Sequence, residues 1–64
     1  MFEIRDEMEK LVAIGDPATG MVDARHGGRG MKITLAEGQR ATLTRNGTVT
    51  EVIRRNGSFI VNRL

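Results

Sequence analysis

Two Asn-Gly pairs, Asn46-Gly47 and Asn56-Gly57, lie ten residues apart and constrain the fold of this chain more than any other feature. A two-residue type I′ turn needs positive φ at both central positions, which glycine adopts without strain and asparagine tolerates better than most residues. Each pair is flanked by alternating apolar and polar residues. The pattern predicts that residues 40–64 form a three-stranded antiparallel meander.

Chain length limits how this meander can be stabilised. The 64 residues form one small domain, residues 1–64, with no cysteine and a single histidine. A domain of this size buries only about 60% of the surface of its unfolded chain and often depends on disulfides, metals or a partner subunit. Disulfides and thiolate zinc sites are excluded here, because both need cysteine. Oligomerisation is the remaining common support.

The N-terminal segment has the pattern of a helix over residues 2–14. Apolar residues recur at helical spacing and form one stripe, while acidic residues lie elsewhere on the wheel. Gly15 is a suitable residue after a helix C-terminus, and Pro17 prevents continuation. The stripe consists of Ile4, Met8, Leu11 and Val12.

Residues 15–30 contain five glycines and the single proline, with no visible period. We therefore predict a flexible connector followed by a four-stranded antiparallel meander, in which Thr, Val and Ile predominate as strands prefer. The predicted strands are residues 31–36, 40–45, 48–55 and 58–64. One helix, a connector and one sheet make an α+β fold.

The two-residue turns also fix the register, because they place Arg45 opposite Thr48 and Arg55 opposite Ser58. Both faces of the predicted sheet then carry aliphatic residues. One face holds Ala41, Leu43, Val52, Phe59 and Val61. The other holds Val49, Ile53, Ile60 and Leu64, interrupted by Thr42, Thr44, Glu51 and Asn62. The face on which Ile33 and Leu35 lie depends on the length of the first turn and stays open.

A single three-turn helix can cover only one of these faces. Leaving a large aliphatic residue in water forgoes roughly 1.5–3 kcal/mol of burial, so the second face needs cover. We predict a homodimer in which Val49, Ile53, Ile60 and Leu64 form the self-contact, by sheet packing, edge pairing or exchange of the N-terminal helix. The alternatives are a sheet that closes into a small barrel, and cover by the 15–30 segment.

No motif in the sequence carries a recognisable chemistry. His26 has no second histidine beside it, Ser58 has no base at matching distance, and the acidic residues are not arranged as a catalytic pair. We therefore predict a non-enzymatic protein without cofactor or metal. The preferred function is a small interaction module that presents a basic surface to a protein partner.

The distribution of charge leaves two further functions open. Residues 1–16 carry −3 and residues 32–64 carry +4, within a net charge of +2. A nucleic-acid-binding protein is the first alternative, with phosphate or groove contacts from arginines. The candidate contact residues are Arg25, Arg29, Arg45, Arg54 and Arg55. Binding of an anion or small ligand at the Gly/Arg-rich residues 25–30 is the second alternative, against the simpler interpretation of a solvated linker.

The N-terminus does not resemble a secretion signal, because acidic residues occupy the positions of a basic region and an apolar core. No apolar run approaches the length that spans a membrane. We predict a cytoplasmic location without membrane contact.

Overall fold

A computed structural model describes residues 1–26 and 29–64, with the side chains of residues 25, 26 and 29 outside the description. The described residues form strands and turns, and no helix. The strands are β1 (Phe2–Arg5), β2 (Leu11–Asp16), β3 (Met21–His26), β4 (Arg29–Thr34), β5 (Arg40–Arg45), β6 (Thr48–Arg55) and β7 (Ser58–Arg63). The predicted α+β class is therefore wrong, and the described chain is all-β.

The strands form two antiparallel meanders, each in sequence order. The first sheet has the order β1-β2-β3-β4 and the second sheet has the order β5-β6-β7. The second sheet confirms the predicted hairpins: Arg45 pairs with Thr48, Arg55 pairs with Ser58, and Val52 lies opposite both Ala41 and Val61. Both asparagines have positive φ, 49° at Asn46 and 54° at Asn56, as the type I′ turn requires.

The predicted helix over residues 2–14 is wrong, because β1 and β2 form a hairpin around a turn at residues 6–10. The Asp6 carboxylate organises this turn: Oδ1 accepts hydrogen bonds from the backbone N–H groups of Met8 (2.8 Å) and Lys10 (3.0 Å). Glu9 adopts φ 65°, which a helix does not contain. The apparent helical stripe is coincidental, since Met8 lies on the turn and is 64% exposed.

The segment 15–30, predicted as a connector, instead contains the end of β2, all of β3 and the start of β4. Asp16 closes the β2–β3 turn by accepting the N–H of Ala18 at Oδ1 (3.0 Å) and the N–H of Gly20 at its carbonyl (2.8 Å). Of the predicted strand 31–36, only residues 31–34 lie in a strand, β4, which pairs with β3 and not with β5. The predicted four-stranded meander is therefore wrong, and its last three strands form a sheet of their own.

The core lies between the inner faces of the two sheets. The first sheet contributes Ile4, Val12, Ala13 and Val22, and the chain after β4 contributes Leu35. The second sheet contributes Leu43, Val52 and Phe59, all from the first of the two predicted faces. Ile33 packs against this cluster from the first sheet. The first sheet thus covers the face of the second sheet that was assigned to the helix.

Candidate interaction surface

Three arginines of the second sheet extend from its inner face and donate hydrogen bonds to backbone carbonyls of residues that precede this sheet in the chain. The cross-strand register places Arg45, Arg54 and Arg63 on the same face as the buried Val52. Arg45 Nη1 donates to the Leu11 carbonyl (3.0 Å), and Arg63 Nε donates to the Arg5 carbonyl (3.2 Å). These guanidinium groups therefore hold the two sheets together at the margins of the core.

Arg54 makes the most extensive of these contacts. Its Nη1 donates to the Leu35 carbonyl (2.9 Å) and its Nη2 donates to the Ala18 carbonyl (3.0 Å). Gly20 lies beneath the guanidinium, where a Cβ would overlap the Leu35 carbonyl oxygen and come within 2.7 Å of Nη1. Since Gly20 also has φ 83°, glycine is required there on both grounds. Arg54 thus ties the β2–β3 turn and the chain after β4 to the second sheet.

These contacts bear on the predicted nucleic-acid surface. Arg45 and Arg54 are engaged with carbonyl groups inside the protein, whereas Arg55 is exposed at the β6–β7 hairpin. The side chains of Arg25 and Arg29, together with residues 27 and 28 of the proposed anion loop 25–30, lie outside the described part of the chain. The structure therefore does not bring the five candidate arginines together on one described surface.

The outer face of the second sheet carries the four residues predicted as the self-contact. Ile53 and Ile60 are directly paired across β6 and β7, and the N–H of Leu64 donates to the Val49 carbonyl (2.9 Å). Val49 and Ile53 are half-buried, while Ile60 is 39% exposed and Leu64 is 69% exposed. We call these four residues the outer aliphatic surface. No described strand packs over it, because the first sheet lies on the opposite face.

A polar row separates the two aliphatic pairs of this surface. Glu51 lies between Thr42 and Asn62 in the register and accepts hydrogen bonds at both carboxylate oxygens. Arg40 Nη1 donates to Oε2 (3.4 Å), and Asn62 Nδ2 donates to Oε1 (3.1 Å). The carboxylate is thus already paired within one chain. The two-residue turns fix the cross-strand register and so place Glu51 in this row. The register alone therefore indicates the pairing of Glu51 with Asn62.

A second cluster joins the β1–β2 turn to the β5–β6 hairpin. Thr48 Oγ1 lies 2.6 Å from the Arg45 carbonyl oxygen and 3.3 Å from Asp6 Oδ2, so its single hydroxyl hydrogen is shared between these acceptors. Asp6 and Thr48 are both buried. The hydrogen bond from the Lys10 N–H lowers the pKa of Asp6, burial opposes that change, and the Met8 N–H and Thr48 hydroxyl lower the pKa further. This cluster is structural, and sequence reasoning missed it by placing Asp6 on a helix.

Sites for a ligand or metal are poorly developed in the described part of the chain. An open depression with a volume of about 60 Å³ lies on the first sheet and is lined by residues 11–14 and Asp23. This is far below the volume of ordinary small-molecule pockets, about 300–1,000 Å³. Within residues 1–26 and 29–64, no three His, Cys, Asp or Glu side chains are grouped as metal ligands would be. The same residues contain no helix capable of crossing a membrane.

Comparison of the chain with protein-family models, with curated proteins and with solved structures gives no match.

Proposed function

We propose that this protein is a small non-enzymatic interaction module that self-associates as a homodimer through the outer aliphatic surface of its second sheet. The observation that carries the proposal is the pairing of Ile53 with the exposed Ile60 on a face that no described element covers. Val49 and Leu64 extend the apolar area along the same two strands. A second copy would remove these side chains from water, which is favourable in proportion to the apolar area buried.

The polar row of the surface is compatible with burial in such a contact. Burying a carboxylate is costly unless it is paired and hydrogen-bonded. Glu51 meets this condition within one chain, because Arg40 and Asn62 each donate to one of its oxygens. The dimer therefore needs no new partner for the charge, and a twofold axis would bring like surfaces together as isologous contacts require.

We further propose that the module binds a protein partner. The exposed Arg55, on the hairpin beside the outer aliphatic surface, would supply a cationic group for this contact. We place the module in the cytoplasm, the reducing compartment that fits a chain without cysteine. We do not extend the proposal to nucleic acid, because Arg45 and Arg54 are occupied by carbonyl groups of the protein itself.

The test is a pair of charge insertions. Ile60→Lys introduces a cation into the outer aliphatic surface, whereas Met31→Lys changes a residue of the first sheet that is also exposed (56%). We expect Ile60→Lys to raise the dimer dissociation constant about tenfold or more, measured by light scattering over a concentration series, and Met31→Lys to leave it unchanged. Equal dissociation constants for both variants would exclude this surface as the self-contact.

A further inference from the structure

The second sheet ends at β5, a six-residue strand whose outer edge has no neighbour among the described strands. Backbone groups in an antiparallel pair point alternately toward the partner strand and away from it. The N–H of Arg54 donates to the Gln39 carbonyl (3.0 Å), and the tight β5–β6 hairpin closes with Arg45 opposite Thr48. Odd-numbered residues of β5 therefore bond to β6, and Arg40, Thr42 and Thr44 direct their backbone groups outward.

Of the other three edge strands, β1 and β4 carry features that discourage pairing, and β5 lacks them. β1 has four residues and a register shift between Ile4 and Arg5. β4 presents an exposed lysine, Lys32, at its centre, a common device for blocking an edge. β5 instead presents two exposed threonines, which favour strands, with no proline, lysine or bulge. Its exposed charged residue, Arg40, is paired with Glu51 of the neighbouring strand. An unprotected edge of this kind is a template for another strand.

We propose that two copies of this chain pair antiparallel along β5, with the twofold axis at Thr42, so that their second sheets join into one six-stranded sheet. This register places Arg40 opposite Thr44 of the second copy and Thr42 opposite Thr42. It engages all three outward-facing residues of each strand and forms about six backbone hydrogen bonds. Moving the twofold axis by one residue, to Ala41 or Leu43, leaves only two of the three outward-facing residues of each strand paired. The proposed register therefore gives the longest ladder.

The side chains fit the same register on both faces. On the inner face, Ala41 meets Leu43 of the second copy. In the single chain Ala41 is half-buried and Leu43 is buried. A small residue opposite a large one extends the core without a clash. On the outer face, Thr42 meets its own copy, a pair that favours strand association. Arg40 faces threonine and keeps its ion pair with Glu51, so no like charges are opposed.

This inference rests on the proposed self-association but places a separate contact at the rim of the sheet. Edge pairing leaves the outer aliphatic surface of each copy exposed and places the two surfaces side by side in the joined sheet. The two contacts can therefore be tested independently in one set of variants.

Disulfide trapping gives the sharpest test, because the chain has no cysteine of its own. In the proposed register, the Cα atoms of the two Thr42 residues lie about 5.5 Å apart, within the range that a disulfide bridges. The two Thr44 residues lie four residues apart along the ladder, about 14 Å, which is too far. Both residues are exposed on the same strand, so Thr44→Cys is the matched control for Thr42→Cys.

We expect mild oxidation to convert most of the Thr42→Cys chain into a disulfide-linked dimer on a non-reducing gel, and the Thr44→Cys chain to remain monomeric there. Equal cross-linking of both variants, or none in Thr42→Cys, would overturn the proposal. As a second variant, Thr42→Pro removes an outward N–H that β6 does not use. It should retain the circular dichroism of the wild type and reduce the self-association of the chain, and unchanged association would contradict edge pairing.

The outcomes also separate this inference from the proposed function. If the wild type self-associates and Ile60→Lys prevents it, while Thr42→Cys does not cross-link, edge pairing is excluded and the proposed function stands. If Thr42→Cys cross-links selectively and Ile60→Lys has no effect, edge pairing stands and the outer aliphatic surface is excluded. A wild type that stays monomeric and a Thr42→Cys chain that does not cross-link would exclude both.

Discussion

The ring of Phe59 lies directly over the α-carbon of Gly15, so that a Cβ at position 15 would come within 2.5 Å of the ring atom Cε2. Phe59 also meets Phe2 edge-on, with ring centroids 5.6 Å apart and an interplanar angle of 78°. The second sheet therefore fills space that the first sheet leaves empty by carrying glycine near the end of β2. This contact fixes how closely the two sheets approach.

Gly15→Ala tests this packing. The added methyl group forces the Phe59 ring to move, and overpacking of a small core costs about 1–3 kcal/mol. We expect the urea midpoint to fall by the corresponding amount at an unchanged slope. In a Phe59→Leu background the added methyl group meets a smaller side chain, so the penalty should shrink by about 1 kcal/mol. Equal penalties in both backgrounds would show that the ring does not cause the effect.

Arg54 and its neighbour Arg55 provide a matched pair for the carbonyl contacts between the sheets. Arg54→Met removes the donors to the Leu35 and Ala18 carbonyls, and we expect a loss of about 1–3 kcal/mol of unfolding free energy. Arg55→Met alters an exposed side chain on the same strand and should stay within about 0.5 kcal/mol of the wild type. Chemical denaturation measures both, and similar losses would contradict the role assigned to Arg54.

Two threonines on the inner face of β6 should respond oppositely to removal of their hydroxyl group. Thr50 is buried and its Oγ1 has no hydrogen-bond partner, so Thr50→Val should be neutral or stabilise the fold by up to about 1 kcal/mol. The Thr48 hydroxyl contacts Asp6 and the Arg45 carbonyl, so Thr48→Val should destabilise it by about 1–2 kcal/mol. Thermal unfolding ranks the two variants, and a Thr50→Val chain that melts below Thr48→Val would refute this assignment.

The Asp6 turn should make stability dependent on pH in the acid range. Hydrogen bonds to the carboxylate lower the pKa of Asp6 from its ordinary value of 3.8, so the folded state favours the ionised form. Its contribution is present above pH 3.8 and is lost as the pH falls through the lower folded-state pKa. The urea midpoint of the wild type should therefore decline below about pH 4 more steeply than that of Asp6→Asn. Parallel profiles of the two proteins would contradict the contribution of this carboxylate.

The second sheet could be predicted from the sequence because its turns carry a specific conformational signal. Asn-Gly fixes the turn type, the turn type fixes the register, and the register identifies which residues share a face. Every cross-strand pair that was predicted within residues 41–61 is therefore found, for example the pair of Ile53 with Ile60. The outer aliphatic surface and its polar row follow from the same reasoning.

The first sheet could not be predicted in this way because its signals are weaker. Its first two turns use Asp6 and Asp16, whose side chains accept backbone N–H groups, and aspartate is also a common residue at helix starts. The strand alternation is hidden because the inner positions include Gly15 and Ala13, small residues that accommodate the opposite sheet. The ten-residue spacing of Asp6 and Asp16 matches that of the Asn-Gly pairs, and such regular turn spacing is typical of all-β folds.

Sedimentation equilibrium of the wild-type chain, over a concentration series from micromolar to millimolar, tests self-association most directly. We expect the weight-average mass to rise with concentration from the 7.1 kDa of one chain to at least twice that value. A mass that stays at 7.1 kDa over the whole series would contradict it.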